Sequence, residues 1–349
     1  MESAIPEHLR CPRTRLRRAP ETYVPAFASW AARMGADVTR IVIAHYGIQW
    51  REAASTDAAH ATMDMIIAWL KGEAGPGHHE LVRYVDEAGF QTLTAVAYWD
   101  DIERFGRWQN DGALESWFRS DDRLTDGHGY FREILWPSIT HVETLFSSSD
   151  KFEGAAVLAR TFSGEIREHG YWGGMRDRIP ASQTDALVPC GSPRIDGAGT
   201  GRRVRIQGHD NLALIHSGQD WSETAEGERE RYLGGVEPIL RAGMDFLRDH
   251  GLAIGCYFNR YVTLQDEGGL PREKSFAVSA WRSLEHLERW AESHPTHLAI
   301  FDSFMRIVQP SGAMMRLRLF HEVVVAKASE QTYEYVNCHS KTGLMRAVE

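Results

Sequence analysis

Val96-Ala97-Tyr98-Trp99-Asp100-Asp101-Ile102-Glu103-Arg104-Phe105-Gly106-Arg107-Trp108 has a counterpart in Val278-Ser279-Ala280-Trp281-Arg282-Ser283-Leu284-Glu285-His286-Leu287-Glu288-Arg289-Trp290. Both read Trp-x-x-[Ile/Leu]-Glu-x-[Phe/Leu]-x-Arg-Trp, at an offset of 281 − 99 = 182 residues. In each, an alternating apolar run (Leu93 to Trp99, Phe276 to Trp281) gives way to three-residue apolar spacing, as when a strand turns into a helix. Two unrelated α/β domains with a chance match are the competing reading. Four identities and two conservative apolar swaps within ten positions favour a duplication.

The surroundings repeat as well. The first half offers Val38–Trp50 as strand, Ala61–Leu70 as helix, and Leu81–Trp99 as a hairpin broken at Glu87-Ala88-Gly89. The second offers strands in Val204–Ser217, a helix near Arg229–Arg248 bent by Pro238, and a hairpin in Gly255–Trp281 broken at Gly268-Gly269. Strand, helix, two strands, helix, strand is the ferredoxin-like unit, so the expected class is α+β with two such modules packed sheet to sheet. The expected division is an arm over 1–37, a first module over 38–150, a connecting segment over 151–203 with a Gly-rich linker at Arg194–Arg203, and a second module over 204–349.

The bulk numbers bound what such a chain can do. At 349 residues, 43% hydrophobic and 25% charged, it can bury a large core. No apolar run approaches the roughly 18–20 residues of a membrane span. A net charge of −9 gives no general attraction to nucleic acid, despite the cluster Arg10, Arg13, Arg15, Arg17 and Arg18, which reads as a solvated or subunit-contacting arm. Cys11, Cys190, Cys256 and Cys338 form no C-x-x-C pair, which fits a reducing cytoplasm. Cys338-His339 lacks the first cysteine of C-x-x-C-H, so any haem is held non-covalently.

The candidate chemistry lies in the second half. In Glu292-Ser293-His294-Pro295-Thr296-His297-Leu298 the proline breaks one helix and starts another, placing His297 in an opening turn whose partial positive charge favours neutral imidazole, the form a metal requires. Leu298, Ile300, Phe301, Phe304 and Met305 could line a porphyrin or simply be core, and His297 could equally be a capping or core histidine. The offset puts Glu115 where a first-half counterpart of His297 would stand, so one site per chain is expected. Alternation over Arg316–Val325 puts His321 on the face of Leu317 and Leu319, as a general acid–base group or a merely hydrogen-bonded histidine. Ser217 ends a strand on the face of Ala213 and Ile215, and no Gly-x-Ser-x-Gly surrounds it.

Together with these, Met1-Glu2-Ser3-Ala4-Ile5, Cys11-Pro12-Arg13-Thr14, Glu168-His169-Gly170-Tyr171-Trp172-Gly173, Ser182-Gln183-Thr184-Asp185, Gly208-His209-Asp210-Asn211, Ser217-Gly218-Gln219-Asp220-Trp221 and Gly243-Met244-Asp245-Phe246-Leu247-Arg248-Asp249 give a chain that resembles the haem-containing aldoxime dehydratases over nearly its whole length. The resemblance implies dehydration of an aldoxime to a nitrile and water on ferrous haem b, in a homodimer of chlorite-dismutase-like α+β barrel type. It places the axial histidine at His297, the distal histidine at His321, the substrate-binding serine at Ser217, the distal arginine at Arg178 with Arg176 as rival, and a supporting glutamate at Glu143. The segment between Phe304 and Arg316 is longer than the family pattern, and Ile179 and His216 depart from it. Two alternatives on the same fold are a haem peroxidase or monooxygenase, in which Arg178 and His321 would polarise a peroxide, and a non-enzymatic haem carrier or sensor.

Overall fold

The computed structural model describes residues 1–110, 112–197, 201–311 and 315–348, side chains of 308–311 excepted. The first part of the chain forms β1 (Ala32–Arg33), β2 (Val42–Trp50), α1 (Thr56–Leu70), β3 (His78–Val85), β4 (Gln91–Trp99), α2 (Ile102–Asn110), α3 (Ala113–Arg119), β5 (Gly129–Leu135), β6 (Val142–Phe146), β7 (Thr161–Phe162) and α4 (Gly174–Arg178). The remainder forms β8 (Arg194–Ile195), β9 (Arg203–Gln207), β10 (Leu212–Asp220), α5 (Glu226–Arg231), α6 (Glu237–His250), β11 (Cys256–Gln265), β12 (Pro271–Trp281), α7 (Leu284–Ser293), α8 (Pro295–Ser311), β13 (Arg318–Ala326) and β14 (Gln331–Val336).

Twelve strands make one antiparallel sheet in the order β6-β13-β10-β12-β11-β3-β4-β2-β5-β14-β9-β8. Within it β5-β2-β4-β3 and β13-β10-β12-β11 run in the same order, joined where β11 pairs with β3 through Thr263↔Arg83 to Gln265↔Leu81. Alternation along β4 divides side chains between two cores rather than between core and solvent. Val96 and Tyr98 enter a central cluster shared with Leu214, Phe276, Val278 and Val324, while Leu93, Ala95, Ala97 and Trp99 meet α1, α2 and α3. Helices therefore cover both outer faces and the two half-sheets face each other. The repeated stretch is capped alike in both halves: Asp101 accepts from the Glu103 and Arg104 N–H groups, and Ser283, 182 residues on, from that of His286.

The pairing registers extend the correspondence beyond the quoted motif. Gly47 lies between Thr94 and Phe131, and Gly218 between Phe276 and Phe320. A Cβ at either glycine would collide with the phenylalanine ring laid across it, so the aromatic substitutes for the missing side chain. One step along, His45 and His216 meet at the centre of the molecule, Nε2 to Nε2 at 3.1 Å.

Three features add to the expected elements. The chain is helical without a break from Glu226 to His250, with Pro238 inside that run as expected, and the irregularity beside it is a π-helical turn over Tyr232–Val236. A proline inside a helix removes an i→i−4 bond, and such places are where helices bend or widen by a π-turn. The arm lies along its own chain, as its contacts with 163–183 show below. The halves also trade edge strands: β6 pairs with β13, while β14 and β9 extend beyond β5 and cover an edge that would otherwise be open. The core of the proposed linker and much of the long segment before Arg316 fall outside the described residues.

Candidate active site

On the helical side, α7 ends at Ser293 and α8 begins at Pro295, where the His294 ring Nδ1 meets the Thr296 hydroxyl at 2.9 Å. His294 is thereby spent on the helix start, and no group of three metal-ligating side chains occurs among the described residues. His297 is the third residue of α8, its ring between those of Trp290 (4.7 Å) and Trp172 (5.7 Å). Burial holds its pKa down at about 4, the Ala291 carbonyl pulling only weakly the other way, and Nδ1 lacks a partner among the described residues. It is a neutral imidazole at physiological pH.

On the sheet side, Ser217 and His321 are direct cross-strand partners on β10 and β13. Edge strand β6 brings Glu143 opposite Val323, two residues from His321, and α4 brings Arg178. Arg178 Nη2 lies 2.7 Å and Glu143 Oε1 3.0 Å from His321 Nε2. Arg178 Nε donates to Glu143 Oε2 at 2.6 Å, and its Nη1 to the Glu168 carbonyl at 2.7 Å. Burial raises the Glu143 pKa, but Arg178 and His321 outweigh it, so the carboxyl ends below its ordinary range and stays ionised. Arg176 turns instead to Glu288 at 2.6 Å and the Ala186 carbonyl at 2.8 Å; of the two arginines, Arg178 is the one at His321.

Between these walls the sheet is covered less completely. Ala213, Ala277, Val323 and Val325 pack under α6 and α7, and Leu317 packs against Ile307 and Tyr232, yet Ile215, Ser217, Leu319 and His321 between the two clusters are only half-buried. The first half shows the same positions closed. By register Tyr46 corresponds to Ser217 and Arg132 to His321; both are buried, and Tyr46 packs on Trp108. Arg132 forms ion pairs with Glu334 and with Glu115, the residue 182 before His297. Where the first half joins sheet to helix by a salt bridge, the second keeps two histidines apart.

The haem-containing dehydratase family model matches residues 44–344. The chain belongs to the haem-containing dehydratases. It is 45% identical to an aliphatic aldoxime dehydratase of Rhodococcus erythropolis and 46% identical to one of Pseudomonas chlororaphis, in each case over 99% of this chain and 98% of the relative. A phenylacetaldoxime dehydratase of Bacillus sp. (strain OxB-1) is 32% identical over 95% of this chain and 94% of the relative. A crystal structure of an aldoxime dehydratase in complex with butyraldoxime superimposes with a TM-score of 0.96 at 45% identity, covering 100% of this chain and 97% of that one.

The residues fit a haem. His297 is uncharged, flanked by indoles and short of a partner at Nδ1, and it belongs to the helical layer over the half-buried strip carrying Ser217 and His321. Reading the sequence assigned no role to Glu168, whose carbonyl holds Arg178, to Asp177, or to the indoles beside His297. Glu168 and Trp172 stand in a dense Gly, aromatic and charged run, which is the one available signal.

Proposed function

We propose that this chain is an aldoxime dehydratase, converting R–CH=N–OH into a nitrile and water with haem b held by His297. The observation that carries this is the cross-strand pair Ser217 and His321, half-buried, with Arg178 and Glu143 gathered on the histidine. When bound, ferrous haem would supply an electron-rich centre for the oxime nitrogen, weakening the N–O bond. Ser217 orients the hydroxyl that leaves. His321 supplies the proton that makes it water, then removes the C–H proton, so the ring ends the cycle as it began.

The surroundings of His321 suit that shuttle. An arginine N–H can only donate and a carboxylate only accept, so Nε2 accepts from Arg178 as a lone pair and donates to Glu143 once protonated. Protonation exchanges one contact for the other and leaves an N–H at Nδ1, on the opposite side of the ring from the pair.

The matching strand orders, registers and caps support two ferredoxin-like modules derived by duplication, spanning 38–150 and 204–349 and assembled as a chlorite-dismutase-like barrel, with 151–203 between them and the arm over 1–37. Four free cysteines fit a cytoplasmic setting, and no described helix is long and apolar enough to cross a membrane. A homodimer is the assembly proposed, to be checked by light scattering. The deciding experiment is an anaerobic spectrum of the dithionite-reduced, haem-loaded protein with and without butyraldoxime, followed by nitrile detection. A spectral change with butyronitrile formed supports the proposal; dye oxidation by hydrogen peroxide with no nitrile would replace it by the peroxidase reading.

A further inference from the structure

The arginine-rich arm is unexplained by the chemistry above, yet it is closely tied to the segment that presents Arg178. The Ala4 N–H donates to Glu168 Oε2 at 2.8 Å, and Arg17 lies 3.6 Å from the other carboxylate oxygen. The Arg18 N–H donates to Asp177 Oδ2 at 3.1 Å, Tyr171 donates to the same oxygen at 2.8 Å, and Arg13 donates to the Asp177 carbonyl at 3.0 Å. The Gln183 side chain accepts from the Cys11 N–H at 3.1 Å and donates to the Leu9 carbonyl at 2.9 Å. Glu168, Asp177 and Gln183 are each no more than 3% exposed. Arg18 also reaches Glu292, five residues before His297, but both partners are over 40% exposed, so that pair adds little. The holding is done at the buried carboxylates, where little water competes for the arm's donors.

Asp177 directly precedes Arg178 on α4, and the Glu168 carbonyl accepts from the Arg178 guanidinium. A shift at either residue moves the guanidinium relative to His321 Nε2. We propose that the arm, acting through Asp177 and Glu168, is a positioning element that fixes Arg178 against His321, so that Arg13 and Arg17 serve the reaction without touching substrate. This rests on the roles given above to Arg178 and His321.

The test compares full-length, haem-loaded Asp177→Asn, the double variant Arg13→Gln/Arg17→Gln and Arg178→Ala with the parent. It measures kcat and KM separately across pH, together with thermal midpoint and haem release to apomyoglobin. Asp177→Asn should lower kcat roughly 10-fold while haem retention stays near the parent's, as losses of supporting contacts do. Its pH profile should shift in the same direction as that of Arg178→Ala. The arm double variant, which leaves Asp177 in place, should shift it the same way by less, and Arg13→Lys/Arg17→Lys should recover the parental profile. A fully active Arg178→Ala protein would sink the underlying reading of the site. Impaired Arg178→Ala beside Asp177→Asn and arm variants with parental kcat and pH profile would overturn the positioning role alone. So would a lowered thermal midpoint with an unmoved profile.

Discussion

At the scale of single residues, the two histidines should separate cleanly. His297→Ala should abolish the Soret band on haemin addition while leaving far-UV circular dichroism unchanged, because α8 starts at Pro295 and is capped from His294 without that ring. His321→Ala should keep the Soret band and lose turnover by about 10²–10⁴-fold, the range for a lost acid–base group. Glu143→Gln would leave Arg178 buried against a neutral partner, and such broken buried pairs cost about 3–5 kcal/mol, to be read from urea unfolding. Because the Glu143 pKa is lowered on folding, its stabilisation is present above about pH 4.3 and is lost as pH falls through the folded value. The places of His297, His321 and Ser217 on their elements were legible from a proline and from strand alternation, while the roles proposed for them came from the family resemblance. Choosing between Arg176 and Arg178 was not, since two residues on one five-residue helix differ only in what lies on either side of it.

At the scale of elements, the glycine–phenylalanine crossings discriminate stability from function. Gly47→Ala and Gly218→Ala each force a methyl into an aromatic ring, at about 1–3 kcal/mol apiece by the usual overpacking cost. Both should lower the urea midpoint. Only Gly218→Ala should also lower kcat, because Gly218 and Phe320 adjoin Ser217 and His321 along the same two strands. The hairpins were legible from their glycine turns, where Gly89 and Gly269 take positive φ. The proline marked where the helix is irregular, but the π-helical form was hidden because Leu233-Gly234-Gly235 leaves a gap in any apolar period. Strand partners such as β6 on β13 join segments about 180 residues apart, and no local pattern records that choice.

At the scale of the whole molecule, the centre is titratable. Burial, with His216 and Arg260 nearby, holds the His45 pKa well below its ordinary value, so the folded protein binds fewer protons there than the unfolded chain. Stability from this group is full above about pH 6.5 and declines below it by about 1.4 kcal/mol per pH unit. Urea midpoints should fall between pH 7.5 and 5, and less steeply in His45→Gln. The repeat announced two similar halves from the sequence alone; that one half would bury these positions behind Arg132 and Glu115 while the other left them half-buried needed three-dimensional packing. The meeting of His45 with His216 has a last consequence. Across 3.1 Å between two like nitrogens there is room for a single hydrogen, and Glu322, 2.5 Å from the far side of His216, decides which ring owns it. Two rings at matching addresses thus cannot both carry a hydrogen there, and the likeness of the halves ends, electrically, at the very atom where they touch.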